Sequence, residues 1–137
     1  MISLRLRIDW SELDVFGHVN SLAFLKYVQA ARVNYWEHLG LYQSFLSTTQ
    51  GTMLASVHCD LRRPLHYPGE VIVQTQIAFV KNSSFGFRYE LLNAEGETVA
   101  QASDVMVSFD FATNQPIPCP DVIRQAGAAP AGPERPT

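Results

Sequence analysis

A short segment near the N-terminus concentrates the side chains most able to do chemistry. Within residues 10–37, the acid Asp14 stands three residues before Gly17, and His18 and Asn20 follow closely. The pattern then becomes helical. These side chains are therefore expected beside a helix N-terminus, where unpaired N–H groups and the positive end of the helix dipole favour developing negative charge. The segment predicts a site that combines a general base or nucleophile with stabilisation of an anion.

Asp14 and Asn20 also have ordinary structural explanations. An Asp before a Gly commonly stabilises a turn, and an Asn directly before a helix commonly caps it. Taken one at a time, these residues do not decide between a structural role and a chemical one. Their combination with His18 in one short segment is what favours a catalytic interpretation.

The residues after Asn20 form the element that must position this segment. Apolar residues recur at three- and four-residue steps through residues 21–39, which predicts a helix of about five turns with one broad buried face. Gly40 supplies the stop expected at its C-terminus. Arg32 falls on the apolar face, so its guanidinium must be paired, and we interpret it as structural. The apolar positions are Phe24, Leu25, Val28, Ala31, Tyr35, Trp36 and Leu39.

Alternation of apolar and polar residues predicts five strands. The first covers residues 2–8, and the others cover 52–63, 70–80, 84–93 and 98–110. The short links between the last three runs predict an antiparallel meander. Because the sequence shows no second helix to cover it, the sheet is expected to wrap the one helix. This is an α+β architecture whose exposed sheet edges favour a homodimer.

Length and composition limit the fold and exclude some functions. The chain of 137 residues suits one domain, expected at 1–124, and a hydrophobic content of 47% fits a well-buried globular protein. Residues 125–137 are rich in Ala, Gly and Pro with almost nothing to bury, which predicts a disordered tail. The net charge of -3 argues against a nucleic-acid binder, since such proteins need a cationic face.

Neither a membrane segment nor a metal site is predicted. No run approaches the roughly 18 apolar residues that a membrane span requires. The first residues alternate charged and apolar side chains instead of forming a signal peptide, so we expect a cytoplasmic protein. Cys59 and Cys119 lie far apart without metal-ligand spacing, which predicts two reduced thiols, no metal and no cofactor.

The chemistry-bearing segment resembles the hotdog-fold thioesterases, in the branch that includes 4-hydroxybenzoyl-CoA thioesterase and the short acyl-CoA thioesterases of bacteria. The similarity spans nearly all of the chain apart from the tail. The combination of acid, Gly, His-Val-Asn and a downstream Ala-Arg pair is far more specific than any single part. The strongest matches are Glu12-Leu13-Asp14-Val15-Phe16-Gly17-His18-Val19-Asn20, Phe24-Leu25-Lys26-Tyr27 and Ala31-Arg32; weaker ones are Arg63-Pro64-Leu65, Pro68-Gly69-Glu70 and Ile117-Pro118.

The resemblance implies a fold, an assembly and an activity. The fold is a strongly curved antiparallel sheet wrapped around one long central helix. Two protomers form a continuous sheet with active sites at their interface, in a homodimer or homotetramer. The implied activity is hydrolysis of an acyl-CoA thioester. The chain departs from the family pattern at Glu12, Ser21, Phe24 and Gln29, and Gln29 removes the helix carboxylate that another hotdog branch uses.

On this interpretation Asp14 acts as a general base on water or as a nucleophile, and the sequence does not choose between the two. Backbone N–H groups at Ser21 and Leu22 would polarise the carbonyl oxygen, while His18 and Asn20 would orient the reactants. Two alternatives stay open. The substrate could be an acyl group on a carrier protein, or the chain could be a non-catalytic module that binds acyl-CoA.

Substrate binding is expected to involve cations and small polar groups. A coenzyme A substrate carries phosphates, and Arg62, Arg63, Lys81 and Arg88 are the available cations, although a solvated-surface role is as compatible with them. We assign Arg62, Arg63 and Lys81 to the substrate, together with Gly17, Ser21 and Leu22 at the helix start. Ser83 and Ser84 open a strand after a short turn, from which they could reach a site in a partner protomer.

Overall fold

One long helix and one antiparallel sheet account for most of the fold. This computed structural model describes residues 1–128, and no helix within that range is long and apolar enough to cross a membrane. A single 3-10 turn, Trp10–Glu12, precedes the long helix. The elements in chain order are β1 (Ile2–Arg7), α1 (Ser21–His38), α2 (Leu41–Ser47), β2 (Gln50–Leu61), β3 (Glu70–Val80), β4 (Ser84–Leu92), β5 (Thr98–Asp110), β6 (Gln115–Pro116) and α3 (Asp121–Ala128).

The strands pair in the order β1-β3-β4-β5-β2, all antiparallel, and the short β6 pairs with β5. The predicted meander of β3, β4 and β5 is confirmed, and β3 and β5 begin and end where the sequence predicts. Successive residues of each strand point to opposite faces. We call the face that carries Phe87 and Tyr89, which packs on α1, the inner face, and the opposite one the outer face.

The core lies between α1 and the inner face. The helix packs mainly over β1 and β3, as its apolar stripe requires. Trp36 places its ring 5.7 Å from that of Phe85 and 5.1 Å from that of Phe87, in edge or tilted geometries. Aromatic pairs of this kind contribute about 1 kcal/mol beyond the area they bury. The helix is therefore held to the centre of the sheet, while β2 lies at an edge that the helix does not cover.

A buried ion pair fixes the helix along the sheet. Arg32 of α1 donates from Nε and Nη2 to Asp104 Oδ2 of β5, each at 3.0 Å. Asp104 also accepts from the Tyr89 hydroxyl and, through Oδ1, from the Phe87 N–H at 2.9 Å. The pairing that the position of Arg32 demands is thus present. Because the Arg32 side chain must reach a carboxylate that is already fixed in the sheet, the ion pair restrains the position of α1 along the sheet.

The structure also contains elements that the sequence interpretation omits. The sequence shows no second helix, but two short ones are present: α2 packs against α1, and α3 packs against β3. Both are short, at seven and eight residues, so neither shows a persistent helical period. The predicted domain boundary after residue 124 falls inside α3. The remainder of the predicted tail, residues 129–137, lies outside the described part of the chain.

Candidate active site

The Asp14 segment is a closed loop held by its own backbone. The Asp14 N–H donates to the His18 carbonyl at 2.7 Å, and the Gly17 N–H donates to the Asp14 carbonyl at 3.1 Å. Gly17 has a φ of 78°, a left-handed conformation that side chains other than glycine rarely adopt. Because a Cβ there would meet no atom within 4 Å, glycine is needed for its backbone conformation and not for space.

One oxygen of the Asp14 carboxylate accepts hydrogen bonds from the backbone of its own loop. Oδ1 accepts from the Phe16 N–H at 2.9 Å and from the His18 N–H at 3.1 Å, as in an Asx turn. The structural role that an Asp before a Gly suggests is therefore real. Within residues 1–128, Oδ2 has no hydrogen-bond partner, and the side chain is exposed. One carboxylate oxygen is thus held in place while the other stays available for water or substrate.

A buried carboxylate attaches this loop to the helix. Glu12, only 6% exposed, accepts from the Tyr27 hydroxyl at 2.7 Å, from Lys26 Nζ at 2.7 Å and from the Asp9 N–H at 2.8 Å. The Glu12 carbonyl also accepts from the Asn20 N–H at 2.8 Å. Both ends of the loop that carries Asp14 are therefore tied to the first two turns of α1.

The electrostatics of Glu12 favour its ionised form. Burial opposes the charge, but hydrogen bonds from Lys26, Tyr27 and the Asp9 N–H outweigh it, so the pKa of Glu12 lies below its ordinary value. Burial and the bond to Glu12 raise the pKa of the Tyr27 hydroxyl. The bond to Glu12 also raises the pKa of Lys26. At neutral pH the three groups form a carboxylate, a neutral phenol and an ammonium.

The start of α1 provides free backbone donors. Asn20 is the N-cap, and its side-chain oxygen accepts from the Ala23 N–H at 2.9 Å. No acceptor among the described residues bonds the N–H groups of Ser21 and Leu22. The structural role expected of Asn20 is therefore present, and it leaves two donors at the positive end of the helix dipole.

These groups share one cleft. Its volume is about 580 Å³, and it brings together six of the residues that the sequence analysis assigns to the site, with an apolar wall from Phe24, Val19, Leu61 and Pro64. The two arginines directly follow β2, and their backbone N–H groups donate to the Val99 carbonyl of β5, which holds them at the cleft. The six assigned residues are Asp14, His18, Asn20, Ser21, Arg62 and Arg63.

Other assigned residues lie away from this cleft. Gly17 belongs to the loop turn, and Leu22 is exposed at the helix start without lining the cleft. Lys81, Ser83 and Ser84 form the turn between β3 and β4, where the Lys81 N–H donates to the Ser84 carbonyl at 2.7 Å. Within one protomer these three do not join Asp14.

His66 and Tyr27 support the site segment through direct contacts, and the sequence analysis assigned neither of them to the site. The His66 ring packs edge-on against that of His18, with centroids 5.0 Å apart, and their backbones form an isolated bridge. Nothing in the local pattern around His66 indicates this contact. The helical pattern alone indicates packing for Tyr27, although Asp9-Trp10-Ser11-Glu12 has capping-box spacing that points to a structured turn beside it.

The cleft offers no obvious metal site. Across residues 1–128, no three His, Cys, Asp or Glu side chains gather closely enough to hold an ion. The cleft and the adjoining helix start present a carboxylate with one free oxygen, the backbone N–H groups of Ser21 and Leu22, an imidazole and two guanidiniums. This set can activate a water or attack an electrophile, and it can stabilise an oxyanion.

Comparison with known proteins gives a consistent result. Residues 8–127 match the family model of the Thioesterase-like superfamily. The chain is 22% identical to the long-chain acyl-CoA thioesterase FadM of Escherichia coli (strain K12) over 123 residues, which cover 88% of this chain and 92% of FadM.

Two solved structures superpose closely. The PA2801 protein of Pseudomonas aeruginosa has a TM-score of 0.85 and 26% identity, covering 92% of this chain and 97% of its own. A Thermus thermophilus thioesterase complexed with coenzyme A and Zn has a TM-score of 0.80 and 26% identity, covering 93% and 97%. The predicted hotdog architecture, a curved antiparallel sheet around one long helix, is confirmed.

The Glu12 contacts predict a pH-dependent contribution to stability. Glu12→Gln should lower the free energy of unfolding by about 2 kcal/mol at pH 7, because the hydrogen bonds to a buried charge are lost. Since folding lowers the pKa of Glu12, its contribution is present above the unfolded value of about 4.3 and is lost as pH falls through the folded one. Urea denaturation measured from pH 7 to pH 3 should show that the difference in free energy of unfolding between wild type and Glu12→Gln becomes smaller below about pH 4.3.

The matched control is Glu95→Gln, which changes an exposed carboxylate in the turn after β4. It should behave like wild type throughout. If the free energies of unfolding of wild type and Glu12→Gln differ by the same amount from pH 7 to pH 3, the Glu12 charge does not stabilise the fold.

Proposed function

The chain belongs to the Thioesterase-like superfamily, a family of thioester hydrolases, and from this premise we propose that it hydrolyses acyl-CoA to a free acid and coenzyme A. Asp14 is the essential carboxylate in this proposal. The observation that carries it is the hydrogen bonding of Asp14, whose Oδ1 is fixed by two backbone N–H groups while Oδ2 faces no partner in the described chain. A side chain held in this way is oriented for reaction at its second oxygen.

Thioester hydrolysis needs an activated attacker more than a general acid, because a thiolate leaves easily. As a general base, Asp14 takes a proton from water while the water oxygen attacks the carbonyl carbon. Collapse of the tetrahedral intermediate then breaks the C–S bond and releases thiolate. As a nucleophile, Asp14 forms a mixed anhydride as thiolate leaves, and water then cleaves the anhydride. Both routes give the same products.

The developing oxyanion is stabilised at the helix start. The N–H groups of Ser21 and Leu22 are preorganised donors at the positive end of α1, and removing one such donor typically costs about 3 kcal/mol in the transition state. His18 and Asn20 line the same cleft and orient the water or the thioester. His18 also contributes its backbone N–H to hold Asp14.

Coenzyme A recognition is assigned to the arginines at the cleft rim. Arg62 donates to Gln101 Oε1 at 3.0 Å, and Arg63 pairs with Glu97 at 3.1 Å. Both remain largely exposed, so each guanidinium keeps donors for phosphate. The related Thermus thermophilus thioesterase was solved with coenzyme A, which supports this carrier over an acyl-carrier protein.

A second protomer is part of the proposal. The inner face of the edge strand β2 exposes Leu54 by 44%, Val57 by 40% and Leu61 by 52%. An uncovered apolar strip on a strand with an unpaired edge favours pairing with a second copy of the chain. A homodimer, alone or within a tetramer, would bury this strip beside the cleft. Lys81, Ser83 and Ser84 enter the proposal only through such a partner.

Asp14→Asn should reduce kcat for acyl-CoA hydrolysis by a factor of about 10² to 10⁴. Asn keeps an oxygen that accepts the Phe16 and His18 N–H groups, so the loop is retained while the charge is lost. The measurement is thiol release across aliphatic chain lengths and aromatic acyl groups. Asp121→Asn, on the first turn of α3, is the matched control and should retain wild-type turnover.

Two outcomes would contradict this assignment in different ways. Equal rates for wild type and a folded Asp14→Asn variant would remove Asp14 from the mechanism. If wild type bound acyl-CoA but released thiol from no thioester, including carrier-protein thioesters, the chain would be a binding module.

Arg62→Gln and Arg63→Gln should each raise KM for acyl-CoA by about fivefold, since an exposed cation contributes about 1 kcal/mol to phosphate binding. The kcat/KM for the corresponding N-acetylcysteamine thioester, which lacks phosphates, should not change. Arg5→Gln on β1 is the control and should leave both substrates unaffected. Equal losses of kcat/KM on acyl-CoA and on the N-acetylcysteamine thioester would contradict a phosphate role for the arginines. A much higher kcat/KM for an acyl-acyl-carrier-protein substrate would favour that carrier over coenzyme A.

Val57→Lys should convert the proposed dimer to monomers, because it places a charge on the inner face of β2. Sedimentation velocity over a range of concentrations measures the change. Ser56→Lys is the matched control, since the neighbouring residue points to the outer face of the same strand. A wild-type chain that is monomeric at every concentration, or an unaffected Val57→Lys dimer, would overturn the assembly.

A further inference from the structure

A second cavity lies on the outer face of the sheet, on the side away from α1. Its volume is about 270 Å³, and polar side chains from β2, β3, β4 and β5 line it. Sheet register places those side chains in two adjacent cross-strand rows, about 7 Å apart along the strands. The outer face of an antiparallel sheet is often polar, but a cavity there requires a separate explanation.

The first row carries the acidic groups. Register pairs Gln74 with Glu90, Glu90 with Gln101, and Gln101 with Asp60. Gln101 Oε1 already accepts from Arg62, so the side-chain N–H groups of Gln101 remain available to a ligand. Glu90 accepts from the Thr98 hydroxyl at 2.7 Å, and Asp60 pairs with His58 at 3.1 Å. Two carboxylates therefore stand in one row.

The second row carries the basic group. Register pairs Gln76 with Arg88, Arg88 with Ser103, and Ser103 with His58. With its amide oxygen facing the guanidinium, Gln76 accepts from Arg88 Nε at 3.2 Å and also from Nη2. That contact holds Arg88 across the cavity and leaves Nη1 for another acceptor. A cationic row thus runs beside an acidic one.

One buried group in the cavity wall lacks a partner. Gln74 is 3% exposed, and its Nε2 has no hydrogen-bond partner among the described residues. Leaving such a donor unsatisfied is costly, so an unpaired buried amide calls for an acceptor that residues 1–128 do not supply. Gln74 lies diagonally across from Arg88, within reach of the same small group. Both supply donors that suit a carboxylate.

Charge and size restrict the occupant. One guanidinium against two carboxylates disfavours a multiply charged anion such as phosphate. The volume holds about nine water molecules at roughly 30 Å³ each, which suits a small metabolite. We propose that this outer-face cavity binds a small zwitterion of the α-amino-acid class. The ligand carboxylate lies at Gln74 and Arg88, and its ammonium group lies at Glu90, on the strand next to Gln74.

The site is separate from the Asp14 cleft. The polar side chains in its two rows lie on the outer face of the sheet, and none of its lining residues is shared with that cleft. The two linings adjoin at Asp60 and Leu61, consecutive residues of β2, and the Arg62 to Gln101 hydrogen bond also links them. Binding at the outer cavity can therefore be measured without any assumption about thioester hydrolysis, and Arg62 is left unchanged in the test.

The test is calorimetric titration of the full chain with each standard amino acid. Acetate, methylammonium and inorganic phosphate serve as fragment probes. At least one amino acid should bind saturably, and acetate or methylammonium alone should bind at least about tenfold more weakly, since each supplies only one of the two charged groups. Phosphate should not bind. Gln74→Met and Arg88→Met should each weaken amino-acid binding by about tenfold or more.

Arg5→Met, on the outer face beyond the cavity, is the control and should bind like wild type. If Arg88→Met does not fold, Gln74→Met still decides the question, because it replaces an unpaired buried amide by an apolar side chain of similar size. The proposal is overturned if no amino acid binds wild type, if phosphate binds as well as the best amino acid, or if Gln74→Met binds normally. It is also overturned if the cavity instead closes against a second copy of the chain, seen as self-association that Arg5→Met retains and Gln74→Met alters.

Discussion

The buried carboxylate of Glu12 holds the parts of the candidate site in one geometry. It accepts from Tyr27 and Lys26 on the helix and from the Asp9 N–H ahead of the 3-10 turn. The backbone carbonyl of Glu12 accepts from the Asn20 N–H. A flexible loop could carry Asp14 to many positions, but a loop tied at both ends to the first turns of α1 cannot. Catalytic groups gain most when such supporting contacts preorganise them, since little reorganisation remains for the reaction.

The position of the helix is itself constrained from the sheet. Tyr89 and the Phe87 N–H hold the Asp104 carboxylate within the sheet, and Arg32 of α1 reaches that carboxylate, so the ion pair restrains the helix relative to the sheet. Together with the aromatic contacts of Trp36, this determines where the helix N-terminus meets the end of β2. The free N–H groups of α1 and the two rim arginines therefore reach the same cleft from separate parts of the chain. The uncovered inner face of β2 continues from that cleft, which is why a second protomer belongs to the functional proposal.

Sequence reasoning succeeded where the signal is local. Strand alternation and helical period repeat over short windows, and Asp14, His18 and Asn20 are close in sequence, so their grouping could be predicted. The partner of Arg32 lies 72 residues away and could not be identified from one sequence. The His18–His66 contact and the buried Gln74 likewise depend on strand register. The helices α2 and α3 were missed because seven or eight residues make only about two turns.

The most direct measurement is a crystal structure of the protein with a ketone analogue of acyl-CoA, in which a methylene group replaces the thioester sulfur. The account predicts the analogue carbonyl oxygen about 3 Å from the N–H of Ser21 or Leu22. It also predicts the free oxygen of Asp14 beside the carbonyl carbon and the phosphates near Arg62 and Arg63. An analogue bound with its carbonyl remote from both Asp14 and the start of α1 would contradict the central claim.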